Sequence, residues 1–157
     1  MSAVRERLVR ALVATLVLPH ELGHAALAWV CRLDPEVTVL PSWHGETVPL
    51  ARFNADLDAD TPLVLVRAVA VAPLPLALLA AGLLGTVLPR DSLLVVPLLA
   101  VLSFWGSLSS GDLAIAANPG LARDHGEFLA PKPPGIDTAA LMLTPVTVVL
   151  VGLLLLA

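Results

Sequence analysis

Residues 8–30, LVRALVATLVLPHELGHAALAWV, carry a single charge, Arg10, outside the stretch Pro19-His20-Glu21-Leu22-Gly23-His24. At about 1.5 Å per residue, a helix of this length crosses roughly 30 Å of hydrocarbon. Such a helix must be packed in lipid, and here it must also house three ionisable side chains, which in that setting mark functional sites. His20 and His24 are four residues apart and share a helix face, so both imidazoles can reach one Zn²⁺. Glu21 lies beside them, placed to act on water at the metal instead of on the metal itself. The plainer alternative is a pair of polar residues packed between helices with no metal.

Composition supports a membrane-embedded chain. Hydrophobic residues make up 57% of the 157 positions and charged residues 14%, too little charge for a soluble domain of this size. The length suits one domain over residues 1–157, an integral membrane protein expected in the cell membrane. Asp34, Glu36, Glu46, Asp56, Asp58 and Asp60 crowd the polar segments as a solvated acidic rim, which argues against a nucleic-acid partner. The lone cysteine, Cys31, excludes an internal disulfide and a cysteine-rich metal site. Arg5, Arg7 and Arg10 before an apolar run resemble a signal peptide, but the run is too long and too functional in content, so it reads as a retained helix.

The expected fold is an all-α membrane protein of about four transmembrane helices with a small β-hairpin between helices one and two. Helix one covers about 8–30, with Pro19 bending it before the motif. The hairpin strands are Glu36–Leu40 and Thr47–Phe53, the second demoted to an edge strand by Pro49; the hairpin either takes up an extended peptide at that edge or simply covers the membrane face. Helix two spans about 62–88, kinked or locally unwound at Pro73 and Pro75. Helix three starts near Ser92 and runs to Asn118-Pro119-Gly120. Its second half is dense in Ser and Gly, which suits close helix contact. Residues 119–136 read as a polar loop and 137–157 as helix four. Arg5, Arg7, Arg10 and Arg90 on one side balance Arg32, Arg52, Arg123 and Lys132 on the other, so charge does not set the orientation.

A catalytic zinc needs a third protein ligand. The compact soluble pattern fails, because Leu27 and Val30 stand where Gly and His would be. Asp112, His125, Glu36, Glu46 and His44 are the candidates. Asp112 is favoured because it alone lies within an apolar helix, where a cation at His20 and His24 would neutralise it. The alternative for Asp112 is a helix cap, or hydrogen bonds to serines in a broken third helix. With zinc bound, the chemistry would be metal-assisted hydrolysis with Glu21 as general base. Asp124 and His125 could support the site or an oxyanion, or be plain loop residues.

His20, Glu21, His24 and Asp112 together resemble the site-2-protease-like intramembrane zinc metalloproteases, in which His-Glu-x-x-His lies on one transmembrane helix and an Asp on a later one completes the zinc site. More narrowly, Ala72-Pro73, Ser110-Gly111-Asp112-Leu113 and Asp124-His125 resemble the motifs of a small family of membrane zincin peptidases. The resemblance implies a zinc metalloendopeptidase acting on a peptide or membrane-protein substrate within membrane lipid, with Glu21 catalytic and His20, His24 and Asp112 on the metal. The usual site-2 Asn-x-x-Pro-x-x-x-Leu-Asp-Gly is absent, and Asn118-Pro119 follows Asp112 instead of preceding it. Two other readings stand beside the protease. One is a non-catalytic membrane scaffold or metal-binding protein of this fold, which would have no need of Glu21. The other is a small metal-ion carrier, which would want more polar residues along helices two and four.

Overall fold

The structure is a computed structural model that describes residues 3–39 and 51–157. It is mostly helical with one small hairpin. The elements are α1 (Ala3–Val30), β1 (Pro35–Val39), β2 (Ala51–Ala55), α2 (Leu63–Val71), α3 (Pro73–Val87), α4 (Val95–Gly106), α5 (Ser110–Ala117), α6 (Pro119–His125) and α7 (Ile136–Leu155). Two helices, Ala11–Val30 and Ile136–Leu155, are long and apolar enough to cross a membrane by themselves. Two further pairs meet the same test only when taken together, α2 with α3 and α4 with α5, and these are bent by 51° and 44°.

Both bends have local causes. Pro73 has no N–H, so the carbonyl of Val69 loses its regular helical partner, and Ala72 donates to Val69 in a tighter turn instead. The expected kink therefore falls at Ala72, the junction of α2 and α3. The expected single third helix is broken, a correction to the sequence reading. Ser107 leaves α4 in an extended conformation, and Ser109 starts α5 with a reciprocal capping box to Asp112. The expected loop 119–136 also holds a helix, α6, which begins on Pro119 and ends at Gly126 in the left-handed conformation. Proline at the first helical position fits without loss of a bond, and the loop reading overlooked this.

α1 begins at Ala3, ahead of the expected boundary. It ends in a Schellman arrangement, Leu33 N–H to Ala28 O and Arg32 N–H to Trp29 O, with Arg32 at φ 60. That turn feeds the chain into β1, which pairs antiparallel with β2 from Pro35↔Ala55 to Val39↔Ala51. β1 starts and ends one residue before the expected strand, and β2 extends two residues beyond it. Leu40, the intervening loop and residues 47–50, with His44, Glu46 and Pro49, lie outside the described residues.

Two clusters of apolar side chains hold the protein together. One joins Ala28 of α1, Phe53 of β2, Val66 and Val69 of α2, Ile115 of α5 and Phe128. The other joins Ala81 of α3, Leu102 of α4, and Val151 and Leu155 of α7. Between them, Gly106 sits where a Cβ would come within 2.8 Å of Ala77 Cβ and 3.4 Å of Thr147 Cγ2. Gly106→Ala is expected to cost about 1–3 kcal/mol by overpacking, seen as a lower unfolding midpoint in detergent. Gly82→Ala, with nothing within 4 Å of the added carbon, should not lower it.

Candidate metal centre

His20 and His24 lie on the buried face of α1, and Asp112 lies in the first turn of α5. Their ligand atoms converge. His20 Nε2 is 3.2 Å from His24 Nε2 and 3.2 Å from Asp112 Oδ2, and His24 Nε2 is 3.3 Å from Asp112 Oδ1. Among the described residues these three form the group able to hold a metal ion. Asp56, Asp58 and Asp60 do not gather into such a group: they are exposed, and Asp58 closes a turn with Thr61.

The other ring nitrogens explain the arrangement. His20 Nδ1 is 2.9 Å from Trp105 O, and His24 Nδ1 is 2.7 Å from Val69 O. A carbonyl oxygen only accepts, so each Nδ1 carries the proton and donates. In a neutral imidazole this leaves a lone pair on Nε2. Two lone pairs and a carboxylate then face one another at van der Waals range or closer, an arrangement relieved by a proton on one Nε2 or by a metal ion among the three. The donor set therefore fits a divalent metal ion. Buried imidazoles whose far N–H is held by a carbonyl are also the usual form of metal-binding histidine.

Each of those carbonyls is available because its helix is interrupted. Val69 O would accept from residue 73, which is proline. Trp105 O would accept from Ser109, whose N–H instead donates to Asp112 Oδ2 at 2.7 Å. Asp112 thus caps α5, the alternative weighed for it from the sequence, and faces the histidines with the same carboxylate. Gly23, inside the motif, would set a Cβ 3.2 Å from Pro73 Cα, so its lack of a side chain lets α1 approach the kink.

Glu21 turns toward the hairpin and accepts the Phe53 N–H through Oε2 at 2.9 Å. Phe53 stacks on His24, with centroids 5.4 Å apart and planes 22° apart, and meets Phe128 edge-on at 5.0 Å. Glu21 borders two cavities. One, of about 240 Å³, is shared with His24, Asp112, Arg52, Phe53 and Lys132. The other, of about 290 Å³, is shared with His20, Phe104 and Ser107.

The structure brings His20, Glu21, His24 and Asp112 together and leaves Asp124 and His125 outside the cluster. Those two line neither cavity: Asp124 is exposed beside Arg123 at 3.9 Å, and His125 donates to Leu121 O at 2.6 Å. Glu36 is exposed on β1. Sequence reasoning missed Phe53 and the two orienting carbonyls. The spacing of Pro73 from Val69 and the Ser109-x-x-Asp112 capping pattern were the available signals.

No protein-family model, curated protein or solved structure matches the chain.

Metal content of the detergent-purified protein checks this geometry. His24→Ala and Asp112→Ala should lose bound metal. Pro73→Ala supplies an N–H that competes for Val69 O, and should weaken metal affinity roughly ten- to hundred-fold with all three ligands intact.

Proposed function

We propose that the chain is an intramembrane zinc metalloprotease of the site-2-protease-like kind, cutting peptide bonds of membrane or membrane-adjacent substrates. The observation that carries this reading is the convergence of two Nε2 atoms and one carboxylate beside a fourth group, Glu21, that holds none of the same contacts. Zinc bonds of about 2.0–2.1 Å in tetrahedral array imply ligand separations of roughly 3.3–3.4 Å, close to the 3.2–3.3 Å found here. Two nitrogens and one oxygen also suit zinc better than magnesium or calcium, which favour oxygen. In this reading α1, the α2–α3 pair, the α4–α5 pair and α7 are four crossings of the cell membrane.

Zinc when bound supplies Lewis acidity, which acidifies water and polarises a carbonyl. His20, His24 and Asp112 would hold the ion. Glu21 keeps Oε1 available while Phe53 N–H fixes Oε2. Its carboxylate takes a proton as water adds to the scissile carbonyl, and returns it to the leaving amine as the C–N bond breaks. Phe53 directs its N–H to Glu21 and not to β1, so that edge of β2 faces the site with its central donor already used by the carboxylate.

Cleavage of quenched fluorescent membrane peptides tests the reading. Chelation should abolish cleavage and added zinc restore it. Glu21→Gln should retain zinc and lower kcat at least about a hundred-fold. Cleavage by Glu21→Gln at the wild-type rate would sink the proposed mechanism. Stoichiometric zinc with no Glu21-dependent cleavage of any membrane peptide would leave the non-catalytic scaffold.

A further inference from the structure

Trp105 is the penultimate residue of α4, and it touches α1 twice. Its carbonyl accepts the His20 Nδ1–H at 2.9 Å, and its indole Nε1–H donates to Leu16 O, also at 2.9 Å. The two α1 partners belong to one helical turn. In an α-helix Leu16 O is the acceptor of the His20 backbone N–H. Trp105 therefore grips His20 from two sides. Its carbonyl holds the imidazole, and its indole holds the carbonyl that carries the backbone bond of the same residue.

Pro19 gives that second contact a purpose. It lies in the turn between Leu16 and His20 and has no N–H, so Thr15 O loses its helical donor. The indole bond braces α1 at the next carbonyl. The Trp105 ring itself is half-buried and packs against the cluster of Ala81, Leu102, Val151 and Leu155. Those residues belong to α3, α4 and α7, none of which supplies His20, His24 or Asp112. Trp105 thus fastens the ligand-bearing turn of α1 to a core that supplies no ligand.

The place of Trp105 along the chain sets it apart from an interfacial anchor. Trp29, 74% exposed and one residue from the end of α1, can turn its N–H to water at a membrane surface. In the four-crossing reading Trp105 falls in the middle of the α4–α5 pair, where an indole N–H has to find its acceptor within the protein.

We infer that Trp105 is a positioning residue of the metal centre: its indole N–H sets the turn of α1 that carries His20, and its carbonyl sets the imidazole, so that Nε2 meets His24 and Asp112. This rests on the metal-centre half of the proposed function and needs no proteolysis. By linkage, an ion that fixes His20 also acts on the residue that grips it.

The test is the zinc affinity of the detergent-purified full chain, read by competition with a chromogenic chelator. Trp105→Phe keeps a ring in the apolar cluster and removes the N–H. It should bind zinc about fivefold more weakly. Val151→Ala loosens the same cluster and removes no hydrogen bond to α1. It should lower the unfolding midpoint and leave zinc affinity within about twofold. A second readout keeps every Trp105 contact and so does not depend on how Trp105→Phe folds. Trp29→Phe with Trp43→Phe leaves Trp105 as the lone indole. Zinc should then change its emission, saturating at about one ion per chain, and Asp112→Ala should abolish the change. Wild-type zinc affinity in Trp105→Phe, an equal loss in Trp105→Phe and Val151→Ala, or Trp105 emission indifferent to bound zinc would overturn the inference. Absence of zinc binding by the wild type would overturn the metal centre and the inference with it. Trp105-dependent zinc binding in a chain that cuts no peptide would support the inference and overturn the protease reading alone.

Discussion

Two carbonyl groups released by helix interruptions hold the site in place. Val69 O is left without its regular partner by Pro73, and Trp105 O by the departure of the chain after Gly106. Val69 O keeps a bond from Ala72 N–H and has a lone pair to spare, and each of the two carbonyls accepts an imidazole N–H. The exchange serves both sides. The carbonyl is satisfied, and the histidine is fixed in the tautomer that turns its Nε2 lone pair toward the other histidine and Asp112. A regular helix in either place would consume the carbonyl and leave the imidazole free to rotate.

The second interruption does more than release a carbonyl. The capping box that restarts the chain at Ser109 uses Asp112 as its acidic member, so the carboxylate that completes the candidate metal centre also closes a helix end. Its position is fixed by backbone geometry before any ion is considered. α1 supplies the opposite wall, and Gly23 permits it to lie against Pro73. The hairpin closes the remaining side through the Phe53 N–H to Glu21 and the Phe53 ring on His24. Four separate segments thus meet at one point, each held there by a contact to backbone or to the aromatic pair. Such a site is preorganised, its side chains held in place by the fold itself.

The membrane character and the metal motif were legible in the sequence for different reasons. Apolar content and run length are local properties, and the four-residue spacing of His20 and His24 fixes a shared helix face whatever surrounds it. The kink at Pro73 was also legible, because proline acts on its own helix. The break after Gly106 enters the sequence reading only as the alternative to a continuous third helix. Ser-, Gly- and Ala-rich sequence fits both a closely packed helix and a helix restart, and only the Ser109-to-Asp112 pattern separates the two. The helix after Asn118 was hidden by Pro119, which was read as a stop and serves as a first helical residue.

The sequence by itself determined that this chain is rich in membrane-length apolar helix, that His20, Glu21 and His24 share one of those helices, and that a later Asp112 is costly without a partner. Those conclusions depend on composition and on spacing within a single element. Only the tertiary structure decided that Asp112 meets both imidazoles, that Val69 and Trp105 orient them, and that Phe53 holds Glu21. Each of these joins residues far apart in the chain, from 32 positions for Phe53 and Glu21 to 92 for His20 and Asp112. Such pairings are set by how the interrupted helices pack against α1 and the hairpin, which no one stretch encodes.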